Sequence, residues 1–523
     1  MCFIFAVTRV TARPLKCSDY TFSDQGSSSG QSSECATFNA PLFYPGICKA
    51  PQFADPTIDV FVKRMPATTG DPKTATNVWL LQGGPGYSST AMESSMISLF
   101  AQLNGSANVY TMDYRGTGRS TVLECVAAQA TTSGSPEGRE LDPSEVPACA
   151  QDLENDYGTL FVERVMHLNP PEVTGYVLDG IATTSGSSAD KFPYMSKRDI
   201  DFRIVGDRFL ELCSQDVICS SRFKKPNTLP KTLRGLLAEF DKDPNSTCAT
   251  LLKDVKIFGQ FLPSAALSLT LGRMLMDAEL RKLIPPLVYR LNRCDAKDAD
   301  VLSQFIYYIN AYIGASTQDD AFFSPLLFYL ITYSEIYERP LPSKTEMERR
   351  FKSALVSAGA FAEPPQYCAF SKEKSKACEE FNYGKYAAKA ITYERDEYWN
   401  KTAKIPSQAS VLLLSSKLDA QTPHKYAETL LGTLDGDEKE MVTFNTSIHG
   451  ALAWTMMDSG TTCGMKILAS YVSSEGKLKG LDKSCVGEMP VFDLTVSTDY
   501  QANFFSTDDV YDGAFNSSLS SLE

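Results

Sequence analysis

Three segments of the sequence carry residues that could together catalyse acyl transfer. Asp419 and His449 each follow a short apolar run, and an acid followed by a histidine can orient a base and transfer protons. Upstream, residues 82–86 read Gln-Gly-Gly-Pro-Gly. Glycine leaves neighbouring backbone N–H groups unobstructed, so the amides near Gly83 and Gly84 could stabilise an oxyanion. The set then lacks only a nucleophile.

Other roles for these residues are also open. Asp419 could cap the helix that follows it or close a turn, and His449 could be an ordinary loop residue. Of the two other histidines, His424 follows Pro423 at a predicted helix start, and His167 lies on a helix predicted to begin at Thr159. Both are predicted to be solvated. His449 is the better candidate base, because it comes after the acid and follows a strand.

The elements that must position these residues form a βαβ pattern with a large helical insertion. Apolar and alternating runs predict strands over residues 57–62, 78–81, 108–112, 176–178, 409–415 and 440–445, and helices over 91–103 and 463–473. Amphipathic stretches at 229–240, 264–276 and 301–313 predict a helical cap. The predicted organisation is an N-terminal segment (1–40, with a loop over 18–40), a first core part (41–184), the cap (185–405), a second core part (406–490) and a tail (491–523), disordered from about residue 506.

Composition places the chain among soluble proteins outside the cytosol. A net charge of −13 disfavours nucleic acid and anionic membranes as partners. The 14 cysteines include no Cys-x-x-Cys pair and do not cluster with the three histidines, so disulfides are predicted and neither a metal nor a cofactor is expected. Asn-x-Ser/Thr sequons at Asn104, Asn245, Asn400, Asn445 and Asn516 suit secretion. The apolar run at residues 2–7 lacks a preceding basic region, which suggests a truncated start to the signal peptide.

With these motifs in order, the chain resembles the secreted tripeptidyl/prolyl aminopeptidase-like serine peptidases of the α/β-hydrolase superfamily. The matching stretches cover most of the chain between about residues 35 and 490, and they are residues 82–86, 113–120, 176–180, 418–423 and 449–450. The resemblance implies an α/β-hydrolase fold with an inserted helical cap. It also implies peptide substrates cleaved from a free N-terminus, and a Cys463–Cys485 disulfide. It leaves the oligomeric state open.

The nucleophile is where the sequence departs from that family. The family carries a Gly-x-Ser-Tyr-Gly elbow before the helix that here begins at Thr159, and Asp156 stands at the position of the serine. An Asp156 nucleophile would need a buried strand before it, which residues 150–154 do not resemble. The literal Gly-x-Ser-x-Gly at residues 26–30 lies in a serine-rich loop before the first core strand and lacks this context too.

A deletion accounts for the departure. A parallel crossover unit needs about 30 residues, and one core strand with its crossover helix is predicted to be missing between Tyr157 and Thr159. Asp419, His449 and an oxyanion hole of Gly83, Gly84 and Tyr157 would remain without a serine. The expected function is therefore that of an aminopeptidase-like hydrolase, inactive as written. The alternatives are an esterase or other hydrolase of the same fold, and a non-catalytic peptide-binding protein.

Overall fold

The computed structural model describes residues 15–18, 20–21, 30–42, 57–125, 129, 140–156, 170–256, 261–315, 318–395 and 397–519. Within these ranges eight strands form two sheets, and the strands are β1 (Leu15–Cys17), β2 (Ser33–Pro41), β3 (Thr57–Met65), β4 (Thr76–Trp79), β5 (Ala107–Met112), β6 (Gly175–Asp179), β7 (Ser410–Ser416) and β8 (Lys439–Phe444). The six strands predicted from the sequence are β3 to β8.

The first sheet has the order β1-β2-β3-β5-β4, and the second has the order β6-β7-β8. Strands β1 to β3 and the β3–β5 pair are antiparallel, whereas β4 pairs parallel with β5. The second sheet is parallel throughout. Strand β7 is buried along its whole length, which explains its unbroken run of apolar residues from Val411 to Leu414.

The prediction of a loop over residues 18–40 is wrong for its second half. Strand β2 pairs with β3 along its full length, from Glu34 opposite Arg64 to Pro41 opposite Thr57. Its serine, threonine and asparagine content hid the strand, because most of its side chains are only half-buried. A Cys17–Cys35 disulfide joins it to β1.

Five helices accompany the sheets, and they are α1 (Glu93–Gln102), α2 (Val146–Asp156), α14 (His424–Thr433), α15 (Ala451–Trp454) and α16 (Cys463–Ser473). Helices α1 and α16 match their predicted positions. Cys463 at the start of α16 forms a disulfide with Cys485, which confirms the predicted Cys463–Cys485 pairing. The described residues between β5 and β6 contain α2 but no strand.

An apolar cluster links the two sheets. No strand pairing joins β4 to β6 among the described residues. Val78 of β4 and Val177 of β6 nevertheless pack against the same apolar cluster, which includes Met465 and Leu468 of α16 and Leu99 of α1. Helix packing therefore holds the two sheets together.

The described residues between β6 and β7 contain helices and no strand. The α-helices here are α3 (Arg198–Glu211), α4 (Val217–Arg222), α5 (Leu229–Lys242), α6 (Thr247–Leu251), α7 (Pro263–Leu275), α8 (Ile284–Arg293), α9 (Ala296–Gly314), α10 (Pro325–Glu335), α11 (Lys344–Lys352), α12 (Pro364–Ser371) and α13 (Lys376–Phe381). Helix α9 begins earlier than its apolar pattern predicts, because Asp295 and Asp298 form a capping box at its N-terminus. The chain is an α/β protein with a large helical insertion, as predicted. No helix in the described ranges is both long and apolar enough to span a membrane.

The prediction of a disordered tail from about residue 506 is wrong for the residues up to 519. Phe504 and Phe505 are buried in the main core of the helical insertion. Arg290 of α8 is fully buried and donates hydrogen bonds to the carbonyls of Asp509, Val510 and Gly513. The acidic, serine-rich composition suggested a solvated segment, but two aromatic side chains and a buried arginine fix it to the helices.

One carboxylate in the helical insertion gives a pH-dependent prediction. Burial raises the pKa of Glu363 to about 7, although its side chain keeps 27% exposure and Arg198 lies 3.9 Å away. Because the folded chain favours the neutral acid, the stability that Glu363 contributes is complete below pH ~4.5 and is lost as the pH rises through about 7. Glu363→Gln is expected to increase the free energy of unfolding by about 1–2 kcal/mol above pH 7, relative to wild type. Urea unfolding at pH 4 and pH 8 checks this, and an equal effect at both values would contradict it.

Candidate functional site

Asp419 and His449 meet at the carboxyl ends of two neighbouring parallel strands. Asp419 follows β7 and His449 follows β8. Since parallel neighbours end at the same edge of a sheet, their following loops lie side by side. The Oδ2 atom of Asp419 lies 2.9 Å from Nδ1 of His449. The structure thus brings together the two residues that the sequence analysis assigned as acid and base.

The carboxylate of Asp419 is held in one orientation by its own loop. Its Oδ1 accepts hydrogen bonds from the backbone N–H groups of Gln421 and Thr422, both at 2.9 Å, and the side chain is 5% exposed. The Thr422 hydroxyl lies 2.6 Å from Oδ2 and 3.1 Å from Nδ1 of His449. The sequence analysis missed Thr422 as a site residue. Its signal was a hydroxyl three residues after the acid, where it can turn back onto the carboxylate.

The electrostatics of this pair favour a protonated imidazole. Burial alone would lower the pKa of His449, but the hydrogen bond and charge of Asp419 outweigh it and raise the pKa above its ordinary value. The bond to Asp419 uses Nδ1, which leaves Nε2 as the atom that could take a proton from a nucleophile. Within the described ranges, no hydroxyl or thiol hydrogen-bonds Nε2.

The end of β6 forms another wall of this site. An added Cβ at Gly180 would lie 2.4 Å from Cε1 of His449, and Gly180 has a φ of +68°. Only glycine suits both constraints. The preceding Asp179 is half-buried and accepts hydrogen bonds from the N–H groups of Ala451 and Leu452, both at 2.9 Å. It thereby fixes the start of α15 directly after His449, a positioning role that sequence reasoning missed although it noted the Leu-Asp-Gly motif.

The glycine loop after β4 presents unused backbone donors. The N–H groups of Gly83 and Gly84 donate no hydrogen bond within the described part of the chain. Gly86 has a φ of +93°, and an added Cβ there would lie 2.5 Å from the carbonyl oxygen of Ser324. Ser324, before α10, in turn donates its N–H to the Gly86 carbonyl. The loop is therefore in direct contact with the helical insertion.

A buried ionic network anchors the far end of that loop. Asp113 is fully buried and accepts hydrogen bonds from the N–H of Ser89 and from Nε of Arg119, both at 2.7 Å. Burial opposes its ionisation, but Arg119 outweighs burial and holds the pKa of Asp113 below its ordinary value. Arg119 also reaches Glu93, which pairs with the buried Lys63 at 2.8 Å. These charges explain the Asp-Tyr-Arg-Gly-Thr-Gly-Arg-Ser motif as a support for the glycine loop.

Gly83, Gly84, Asp156 and Tyr157 complete the set of predicted site positions. No hydrogen bond connects Gly83 or Gly84 to Asp419 or His449 in the described ranges. Asp156 is the last residue of helix α2, so the residues that precede it form a helix and not a strand. Tyr157 and His167 lie outside the described residues.

The prediction that His424 is solvated is wrong. Its side chain is 16% exposed, and its Nδ1 lies 3.0 Å from Oγ of Ser415 on β7. Burial lowers its pKa. His424 does begin α14, as predicted, but the helix start packs against the end of the strand instead of facing solvent.

A family model described as TAP-like protein matches residues 381–485, which include Asp419 and His449. The matched segment holds most of the second core part, with β7, β8 and α14 to α16. Similar solved structures include bromoperoxidase from Bacillus anthracis, with 14% identity over 76% of this chain and 91% of that chain (TM-score 0.23). Serine hydrolase CCSP0084 from Cycloclasticus zankles is 13% identical over 79% and 91% (TM-score 0.23). An esterase from Exiguobacterium antarcticum is 10% identical over 76% and 90% (TM-score 0.21). No curated protein matches the chain.

The link between Asp419 and His449 can be measured without any catalytic activity. Asp419→Asn is expected to lower the pKa of His449, because the substitution removes the charge that raises it. An NMR titration can follow this, since the chain has only three histidines and His449→Gln identifies the signal. Asp437→Asn, at an exposed position before β8, is the matched control. An unchanged His449 titration in Asp419→Asn would contradict the pairing.

Proposed function

We propose that this chain is a serine-peptidase-like hydrolase of the aminopeptidase type that lacks its nucleophilic serine. The observation that carries the proposal is the Asp419–His449 pair, in which Nδ1 is bound to the acid and Nε2 meets no hydroxyl or thiol within the described ranges. The pair and the glycine loop suit acyl transfer, in which a base, an orienting acid and oxyanion donors act on one nucleophile.

Each group of the proposed site would have its own role in acyl transfer. His449 would take the proton of a serine hydroxyl at Nε2 and later give it to the leaving amine. Asp419 would hold the ring and stabilise the imidazolium that forms, and Thr422 fixes Asp419 in that orientation. The N–H groups near Gly84 and Tyr157 would bind the negative oxygen of the tetrahedral intermediate. Without the serine, only binding and oxyanion stabilisation remain.

The strand pairings support a missing strand. Among the described residues, β4 pairs with β5 alone and β6 pairs with β7 alone, while Val78 and Val177 pack against one apolar cluster. Leu81, just after β4, is 42% exposed. A strand placed between β4 and β6 would unite the sheets and satisfy the backbone groups of both edges.

Peptides are the proposed substrates, because two of the aminopeptidase-like motifs, residues 418–423 and 449–450, lie within the segment of the TAP-like match. An extracellular location fits the disulfides, which form and persist in oxidising compartments. The described part of the chain contains five of them, Cys17–Cys35, Cys213–Cys219, Cys248–Cys294, Cys368–Cys378 and Cys463–Cys485.

Labelling with a fluorophosphonate probe tests the proposal. The chain as written is expected to remain unlabelled and to cleave aminoacyl and tripeptidyl fluorogenic amides no faster than His449→Gln does. Labelling of one serine that disappears in His449→Gln would overturn the assigned inactivity. Turnover of p-nitrophenyl esters that depends on His449, without turnover of the amides, would instead indicate an esterase.

A further inference from the structure

We propose that Cys125 and Cys149 form a sixth disulfide that ties helix α2 to the segment after β5. Both residues are fully buried in one apolar cluster, and Sγ of Cys125 lies beside Asp152, which is one helical turn after Cys149 on α2. The bond would form by exchange with a small-molecule or protein disulfide: the two thiols lose two protons and two electrons, and the oxidant's disulfide takes them up and leaves as two thiols.

The surroundings argue against other uses of these thiols. The Sγ atom of Cys125 lies 3.9 Å from Oδ2 of Asp152, and the negative charge of Glu145 also raises the pKa of Cys149. Negative neighbours and burial disfavour the thiolate, which is the form needed for nucleophilic attack. The hydrogen bond to Cys125, followed by burial, raises the pKa of Cys149. The described ranges also hold no group of three residues able to bind a metal ion.

The oxidation state of the other cysteines points the same way. Every other cysteine in the described ranges is in a disulfide, and Cys368–Cys378 lies in the same apolar cluster as Cys125 and Cys149. Conditions that oxidise those pairs would also oxidise two thiols that the fold brings into one cluster. Because the folded protein buries both and suppresses their thiolates, the exchange must take place during folding, before the cluster closes.

The bond would have a defined structural effect. Cys125 follows the Gly116–Val122 bridge, and the neighbouring Leu123 accepts a hydrogen bond from the Ser324 hydroxyl at the start of α10. Cys149 lies on α2, which packs against α12 of the helical insertion. A disulfide here would join the core segment after β5 to the helix that precedes the missing elbow. This inference does not depend on the proposed hydrolase function.

Peptide mapping of the full chain decides the question. Trypsin separates the two cysteines, because residues 120–139 and 140–164 each contain only one. After alkylation with N-ethylmaleimide in denaturant without reductant, we expect these two peptides to be linked and unalkylated, and to separate on reduction. The peptides that contain Cys463 and Cys485 provide the internal control in the same digest. Alkylation of both peptides, or linkage of either to Cys2 or Cys48, would overturn the proposal.

Single and double variants give an independent measurement. Cys125→Ser is expected to expose one additional thiol in denaturant, whereas Cys125→Ser/Cys149→Ser is expected to expose none relative to wild type. If the wild-type pair is reduced, Cys125→Ser will instead lose one reactive thiol. The thiol count is made on denatured chain, so it remains decisive even if a variant folds poorly.

Discussion

A form of the chain with an additional in-frame strand–serine–helix segment between Tyr157 and Thr159 is expected to hydrolyse peptides about 10⁶-fold faster than the present chain. The factor reflects the loss of a nucleophile from a complete acid–base–oxyanion set, which leaves only binding and oxyanion stabilisation. Sequencing the transcript across codons 150–165 would identify such a segment. Values of kcat/KM for tripeptidyl and aminoacyl fluorogenic amides, measured on both forms, then give the ratio.

Substitutions in the longer form separate the roles of the pair. His449→Gln is expected to return the rate to that of the present chain, and Asp419→Asn to lower kcat by about 10⁴, because the imidazole loses its orienting charge. Asp437→Asn, outside the site, is expected to leave the rate unchanged. A longer form that stays inactive, or whose activity survives His449→Gln, would contradict the assigned machinery.

Arg290→Met is expected to lower the free energy of unfolding by about 3–5 kcal/mol, because it removes the donor of three tail carbonyls, although Asp298 keeps its ion pair with Arg293. Arg290 and Asp298 are both completely buried, with 2.9 Å between Nη1 and Oδ1. The substitution would leave the Asp509, Val510 and Gly513 carbonyls without their donor, so the tail should detach before the helices unfold. Urea unfolding measures the stability loss, and limited proteolysis measures tail release.

Arg349→Met is the matched control for that experiment. Arg349 makes a 2.7 Å ion pair with Glu346, but its side chain is 65% exposed. Solvent-exposed pairs contribute about 0–1 kcal/mol, so this variant should unfold close to wild type. Equal effects of the two substitutions would show that the buried cluster does not hold the tail.

The local sequence was sufficient for most core elements. Val411 to Leu414 could only be a strand buried on both faces, and the repeated turns of apolar residues at 229–240 and 301–313 required helices. The meeting of Asp419 and His449 was also predictable, because each follows a strand and the strands were correctly placed. Those signals are local: they depend on a periodicity or on a neighbour a few residues away.

Long-range contacts decided what the local sequence misrepresented. Strand β2 exists because β3 supplies its partner, and the tail is ordered because Arg290 and the core around Phe305 receive it. The side chain of His424 packs against Ser415, which lies nine residues earlier at the end of β7.

The sequence by itself determined that this chain has an α/β core, an acid and a base in the order of a hydrolase, and no serine elbow in its expected place. The tertiary structure decided that Asp419 and His449 lie 2.9 Å apart, that Thr422, Asp179 and Gly180 fix them, and that Cys125 and Cys149 are buried in one apolar cluster. The reason is that residue type and spacing report only on nearby backbone. Hydrogen bonds and burial between distant segments depend on how the strands and helices pack.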